Sequence, residues 1–346
     1  QPDGRRYRLT VDLPPDFALN QPLSTFALAA VETLDPESET FAFNVISVIE
    51  ATLEDPRQIL AAQLNKARGE AVAAMKAEGI EYDERIELLD DVSYPKPLEE
   101  LLTHTFEVYL RSNPWAADGR LSPKSVVREM WERAMTFREY VSEYGLTRSE
   151  GAVLRYLSDA YKALRSGVPA AARTEEFTDI VEWLGELVRQ VDSSLLDEWE
   201  QLTSPDQPHD VPVAMSAKPP RPLTGNQRAF TAMVRNALFR RVELFARRRW
   251  SELGELDRGG SGWTAERWAE LGDEYFAEHD DVGTGPRRTG GPAMLIIERE
   301  PDVWRVRQIL DDPAGDHDWG GFTVDVDLAE SDEAGAAVLR LTDAVA

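Results

Sequence analysis

The feature that most constrains this chain is a change of hydrophobic period across one proline-rich stretch. Thr203 to Gly225 reads T-S-P-D-Q-P-H-D-V-P-V-A-M-S-A-K-P-P-R-P-L-T-G, in which prolines recur and no periodicity survives. Such composition marks a linker or an extended surface connection. Before it, apolar residues recur at three-four spacing, the signature of helices with one buried face. After it, the pattern passes through two helical segments into a period of two, which belongs to strands. The chain is therefore expected to be multidomain: an all-α domain over residues 1–205, a linker over 206–225 and a small α+β domain over 226–346.

Seven amphipathic helices with short joints are expected in the first part. Leu23 to Leu34 and Phe41 to Leu53 are apolar runs, the first ended by Asp35-Pro36. Asp55-Pro56 opens a helix with proline in its first turn, and Gly79 is placed to end it. Leu98 to Leu110 stops at Asn113-Pro114. Ser122-Pro123 starts the next, whose apolar positions run from Val126 through Met130, Trp131, Ala134, Phe137 and Val141 to Tyr144 as one continuous stripe. Val153 to Leu164 follows, then Phe177 to Trp199 with Thr174 as its cap. Beyond the linker, Gln227 to Leu253 and Trp263 to Glu278 are predicted helices. Ala293–Glu298, Trp304–Leu310, Phe322–Leu328 and Ala336–Thr342 are predicted strands of an antiparallel meander with helices on one face. A proline-rich stretch from Leu13 to Pro22 forms a weaker break at the start.

Composition narrows the function classes. No window approaches a membrane span, so no membrane partner is expected. No signal peptide is visible, and the chain begins at Gln1 rather than methionine, which predicts a processed protein or a piece of a longer one. The absence of cysteine removes disulfides, thiolate metal sites and thiol nucleophiles, and fits a cytoplasmic location. The net charge of −25 repels phosphate backbones overall, so contact with nucleic acid needs a local basic stripe.

The chain carries no G-x-x-x-x-G-K-S/T loop, no D-E-x-D/H box and no G-x-G-x-x-G after a strand. The glycine-rich piece from Gly283 to Gly291 lies between a helix end and a strand, where no helix dipole converges on a phosphate, and reads as a loop. Asp311, Asp312, Asp316 and Asp318 with His317 match no calcium-loop spacing and read as a solvated turn, so no metal site is expected. His279-Asp280 at a helix end reads as a complement to the helix dipole rather than an acid/base pair. Nine tryptophans fall mostly on apolar faces and are assigned to cores.

The basic residues are more informative. Arg148, Arg155 and Lys162 stand seven apart with Arg165 one turn beyond, forming a stripe opposite the apolar face of one helix. Arginine suits a phosphate backbone; pairing with Asp159 and acidic neighbours is the alternative use of the same stripe. A second cluster, Arg228, Arg235, Arg240, Arg241 and Arg247 to Arg249, fits docking on an acidic partner surface or on the Asp-rich edge of the sheet equally well.

Five blocks carry a family resemblance: Asp16–Ala30 (D-F-A-L-N-Q-P-L-S-T-F-A-L-A-A), Ile49–Leu60, Lys66–Arg85, Arg148–Arg165 (R-S-E-G-A-V-L-R-Y-L-S-D-A-Y-K-A-L-R) and Thr174–Glu200. In them the sequence resembles the C-terminal region, a domain of unknown function, of actinobacterial DEAD/DEAH-box helicases. By helix pattern it is also distantly similar to the helical C-terminal domain of superkiller-type RNA helicases. The resemblance implies a longer polypeptide whose two motor domains hold ATP and Mg, with this chain needing no cofactor and carrying no catalytic residue. It implies an accessory role: guiding single-stranded RNA or DNA, docking on the motor, or both; the stripe of Arg148, Arg155, Lys162 and Arg165 is the expected strand contact. A protein-interaction module without nucleic-acid contact is the second reading. The third is a small-molecule enzyme housed in the C-terminal domain, whose element order resembles the nuclear transport factor 2-like cone.

Overall fold

The computed structural model describes residues 22–192, 194, 196, 222–258, 262–284, 294–311 and 321–345. The chain divides into two compact units, one of Gln1–Met130 and Met135–Met215 and one of Trp131–Ala134 and Ser216–Ala346. The linker up to Arg221, the first proline-rich stretch up to Gln21, the glycine-rich piece beyond Thr284, and Asp312, Asp316, His317 and Asp318 lie outside the described residues.

The first unit is helical. α2 (Phe41–Thr52) is apolar almost all round and is accordingly buried almost throughout. It packs against α1 (Ser24–Val31) and against two later helices, α8 (Glu150–Gly167) and α9 (Glu175–Val191). α3 (Arg57–Ala77) begins after Pro56, and Gly79 at φ 77° turns the chain into α4 (Tyr82–Asp90), a helix the apolar spacing did not announce. α5 (Glu99–Ser112) packs on α1, with Phe106 and Tyr109 ring to ring against Phe26 at 4.9 and 5.5 Å. It ends at Asn113-Pro114, as expected.

The predicted continuous helix from Val126 to Tyr144 is two helices, α6 (Val127–Glu132) and α7 (Phe137–Glu143). Ala134 takes a left-handed φ of 48° between them. Thr136 then starts α7 with a reciprocal capping box: its Oγ1 accepts from Glu139 N at 3.3 Å, and the Glu139 carboxylate accepts from Thr136 N at 2.8 Å. The apolar stripe ran through the break because residues on both sides of it are buried.

α8 and α9 pack closely where α9 has no side chain. Gly185 of α9 faces the buried ring of Tyr161 of α8, and a β-carbon there would lie 2.5 Å from Tyr161 Cε2. Gly185→Ala is therefore expected to destabilise the helical unit by about 1–3 kcal/mol through overpacking, although alanine is the better helix former. A thermal melt followed by circular dichroism checks this; an unchanged or raised midpoint would mean the ring can retreat.

The second unit is α+β. The predicted helix from Gln227 to Leu253 is also interrupted: α10 (Gln227–Ala246) ends before Arg248, whose φ is 55°, and α11 (Trp250–Leu256) resumes. α12 (Ala265–Glu278) is capped by Thr264, which accepts from Arg267 N at 3.4 Å. A four-stranded antiparallel meander follows in the order β1 (Leu295–Arg299), β2 (Val303–Gln308), β3 (Gly321–Asp327) and β4 (Leu339–Val345). A short helix absent from the predicted elements, α13 (Leu328–Ala334), joins β3 to β4 and is closed by Gly335 at φ 64°. Trp304, Val306, Phe322, Val324, Val326 and Leu341 form the covered face of the sheet, and their core includes Phe230, Phe245 and Trp268 from α10 and α12. Residues offset by one place, Arg305, Arg307 and Asp325 among them, are exposed or partly so, as a period of two requires.

Candidate nucleic-acid interface

α8 is strongly amphipathic. Val153, Leu154, Tyr156, Leu157, Ala160, Tyr161, Ala163 and Leu164 are buried, which anchors the helix and turns its remaining positions outward. Arg148 is exposed in the single 3-10 turn Thr147–Ser149 that leads into α8. Arg155 is 80% exposed, with Asp159 one turn on at 3.9 Å. Lys162 lies about 10 Å further along the axis by the helix rise and is half-buried.

Asp159 interrupts the stripe. Burial raises its carboxyl above the usual range, Lys162 and Arg155 pull it down, and Glu54 adds to the rise. Arg165 turns a different way: its guanidinium donates to the Tyr161 hydroxyl and lies over that ring at 5.8 Å. Arg189 approaches the same ring at 5.7 Å and donates to the same hydroxyl at 3.3 Å. Arg173 donates to the carbonyl oxygen of Arg165. Of the four predicted residues, the fold thus sets Arg148 and Arg155 outward, holds Lys162 beside a carboxylate, and commits Arg165 to a tyrosine–arginine corner.

Four members of the second basic cluster, Arg241 and Arg247 to Arg249, have partners within their own unit. Arg241 is buried in a pair with Asp257, donating from Nη2 at 2.7 Å and from Nε at 3.1 Å. Arg248 lies 4.1 Å over the Phe276 ring, and Arg247 reaches Glu243 at 3.6 Å. His279 follows the C-terminus of α12 and stacks on Tyr275 at 4.6 Å, in keeping with a structural role. No group of three metal-ligating side chains occurs among the described residues.

The most developed chemistry of the helical unit escaped the sequence. Glu50 in α2 is fully buried. Its Oε1 accepts from Val126 N at 2.9 Å, Val127 N at 3.0 Å and the Tyr156 hydroxyl at 2.9 Å, while Oε2 accepts from Arg128 N at 3.3 Å. It thereby serves as a cap in trans for the first turn of α6, satisfying N–H groups that a helix start leaves orphaned. Burial raises its carboxyl above the usual value against the pull of those hydrogen bonds. Burial, and then the nearness of Glu50, keeps the Tyr156 phenol well above its normal range and so a neutral donor.

Lys124, 0% exposed, closes the same segment from the other side. Its ammonium donates to Leu53 O and Ser122 O at 2.9 Å each and to Asp55 Oδ1 at 3.2 Å. Both partners of this pair shift downward for different reasons. Desolvation dominates at Lys124, whereas at the less buried Asp55 burial is outweighed by the Ser122 hydroxyl and the Lys124 charge. Gln63 of α3 adds a third clamp, donating to Ser125 O and Glu129 Oε2 at 2.7 Å each. The only trace of this system in the sequence is one charged residue, Glu50, inside the apolar run of α2. With Glu50 fully buried and its donors supplied by backbone and a tyrosine, the constellation secures an irregular segment.

No helix among the described residues is long and apolar enough to cross a membrane. Comparison with curated proteins and with solved structures finds no match. Residues 1–344 match the model of one family, described as a domain of unknown function (DUF3516), and the chain belongs to that family.

Proposed function

We propose that this chain is a non-catalytic accessory region of an ATP-dependent DEAD/DEAH-box helicase that steadies a single nucleic-acid strand along α8. One observation carries the proposal: Arg155 points outward from a helix whose opposite face is locked into the core, and Arg148 is exposed in the turn that leads into that helix. A rigid helix presenting guanidiniums can hold phosphates without ordering a loop, and arginine makes planar, bidentate contacts with them. The resemblance of the Arg148–Arg165 block to helicase C-terminal regions supports it. On this proposal ATP and Mg belong to motor domains outside this chain, its nearest partner is that motor, and it works in the cytoplasm.

Fluorescence anisotropy with labelled single-stranded RNA and DNA, at low and moderate salt, tests the proposal. The parent chain is expected to bind in a salt-sensitive manner. Arg148→Ala/Arg155→Ala is expected to weaken binding and to flatten the log–log salt slope by about 1.4, the value for two phosphate contacts on a single strand. Unchanged binding by the double variant would reduce the stripe to a solvated face. Absence of binding at low salt would favour a protein-interaction module, for which the net charge of −25 speaks.

The small-molecule reading rests on a cone-like second unit. It is the least supported, because the inward sheet face is filled by large side chains: Phe230 meets Trp304 at 4.9 Å, and Phe322 meets Trp268 at 5.2 Å and Phe245 at 5.4 Å. The surface cleft beside Trp263, about 340 Å³, has Asp257 in its wall, and that carboxylate is occupied by Arg241.

A further inference from the structure

α3 is anchored only over its first half. Ile59, Leu60 and Gln63 are buried, and beyond them only Met75 is. Past Gly79 the chain folds back as α4, which packs against α3 and has no buried residue of its own. The outer half of α3 with α4 is therefore an arm. Its stability comes from a few contacts at the turn, such as Ile80 N to Met75 O at 3.0 Å and Arg85 Nη1 to Ile80 O at 2.8 Å.

The surface of this arm is unusual in two independent ways. Tyr82 and Ile86, one helical turn apart on the same face of α4, are 65% and 48% exposed. Between Glu78 and Asp91, seven carboxylates stand against a single guanidinium, Arg85, which is already occupied by Ile80 O and the Tyr82 ring. None of those seven is ion-paired among the described residues. Isolated exposed apolar residues need no explanation. A pair at helical spacing, ringed by unneutralised carboxylates, is the pattern by which a helix docks through apolar anchors with a charged rim.

Charge decides the occupant. Nucleic acid and anionic lipid surfaces carry the same sign as the arm and are repelled. A second copy brings the same carboxylates and a net charge of −25. We infer that α4 is a docking helix for a cationic amphipathic helix of a partner protein, with Tyr82 and Ile86 meeting that helix's apolar stripe and the carboxylates between Glu78 and Asp91 meeting its lysines or arginines. The inference does not depend on the strand-binding proposal, since α8 and its arginines take no part in it.

The test uses the full chain and a synthetic amphipathic Leu/Lys helical peptide, with a scrambled peptide of equal composition that has no apolar stripe, titrated by calorimetry at low and moderate salt. The parent chain is expected to bind the amphipathic peptide, more weakly as salt rises, and the scrambled peptide at least about ten-fold more weakly. Tyr82→Ser/Ile86→Ser should lose about ten-fold or more in affinity. Ile296→Ser, at a 45% exposed apolar position on β1, should lose nothing. Equal thermal melting of parent and variants keeps a folding defect from imitating the result. The proposal is overturned by equal affinity of the double variant, by equal affinity for the scrambled peptide, or by a parent self-association that Tyr82→Ser/Ile86→Ser abolishes.

Discussion

Replacing Glu50 with alanine is expected to cost the helical unit about 3–5 kcal/mol, because several buried donors share this one acceptor. Three backbone N–H groups, at Val126, Val127 and Arg128, and the Tyr156 hydroxyl would lose their acceptor at once. Each buried donor left unpaired costs about 1–3 kcal/mol; water entering the vacated space offsets part of the total. Chemical denaturation gives the stability change, and hydrogen exchange gives its place: protection should fall first at the start of α6. A loss under about 1 kcal/mol would show that α6 starts without this acceptor.

The pH dependence follows with its sign. The folded-state pKa of Glu50 is raised above 4.5, chiefly by burial. The fold therefore favours the protonated acid, and this contribution to stability is fully present below the unfolded value of about 4.5 and lost as pH rises through the higher folded value. Glu50→Gln keeps an oxygen for part of the donor set and removes the ionisation. The stability difference, parent minus Glu50→Gln, is expected to decline as pH rises from 4.5 and then level off. A difference that grows with pH would mean that the hydrogen bonds to the carboxylate outweigh its desolvation.

The second large effect belongs to the sheet. Gly321 opens β3 at φ 89°, paired with Val345, and a β-carbon on it would lie 2.0 Å from the carbonyl oxygen of Gln308 and 2.9 Å from Ile309 Cα. Backbone, unlike a flexible side chain, cannot swing aside. Gly321→Ala therefore combines left-handed strain with displacement of β2 from β3, and is expected to destabilise the second unit by about 3 kcal/mol or more. Gly69→Ala is the matched contrast: it lies inside α3 with nothing beyond the helix's own nearby backbone within 4 Å of the added carbon, and is expected to stabilise by up to about 1 kcal/mol. Denaturant titration of both variants checks the pair. If Gly321→Ala proved as stable as the parent, the β2–β3 register would have room that the glycine does not require.

Together with the strand and peptide titrations, these substitutions separate what holds the fold from what its surface does. Glu50, Lys124 and Gly321 are placed to fix backbone, and changing them should alter stability wherever it is measured. Arg148, Arg155, Tyr82 and Ile86 are placed outward, so changing them should alter binding without altering the melt.

The sequence by itself determined the kind of elements and their order. Helical spacing before residue 205, alternation after residue 293 and the proline-rich stretch between them follow from the local geometry of helix and strand. Pro56, Pro114 and Thr174 marked helix ends by local chemistry that needs no partner. The basic stripe was legible as a face because a spacing of seven nearly closes two helical turns. Asp159 was legible too, as a partner one turn from Arg155. The Tyr161 ring that takes Arg165 was not, because packing sets it as well as spacing.

Only the tertiary structure decided where the two long apolar stripes break, at Ala134 and Arg248, because both sides of each break are packed and the hydrophobic pattern passes over it. It alone showed that Glu50, Gln63 and Lys124, far apart along the chain, converge on the segment from Ser122 to Arg128. It alone showed α4 and the exposure of its Tyr82 and Ile86, since the spacing of its apolar residues announced no helix. A residue's spacing states which neighbours share its face, whereas burial and partnership depend on which distant segment arrives there.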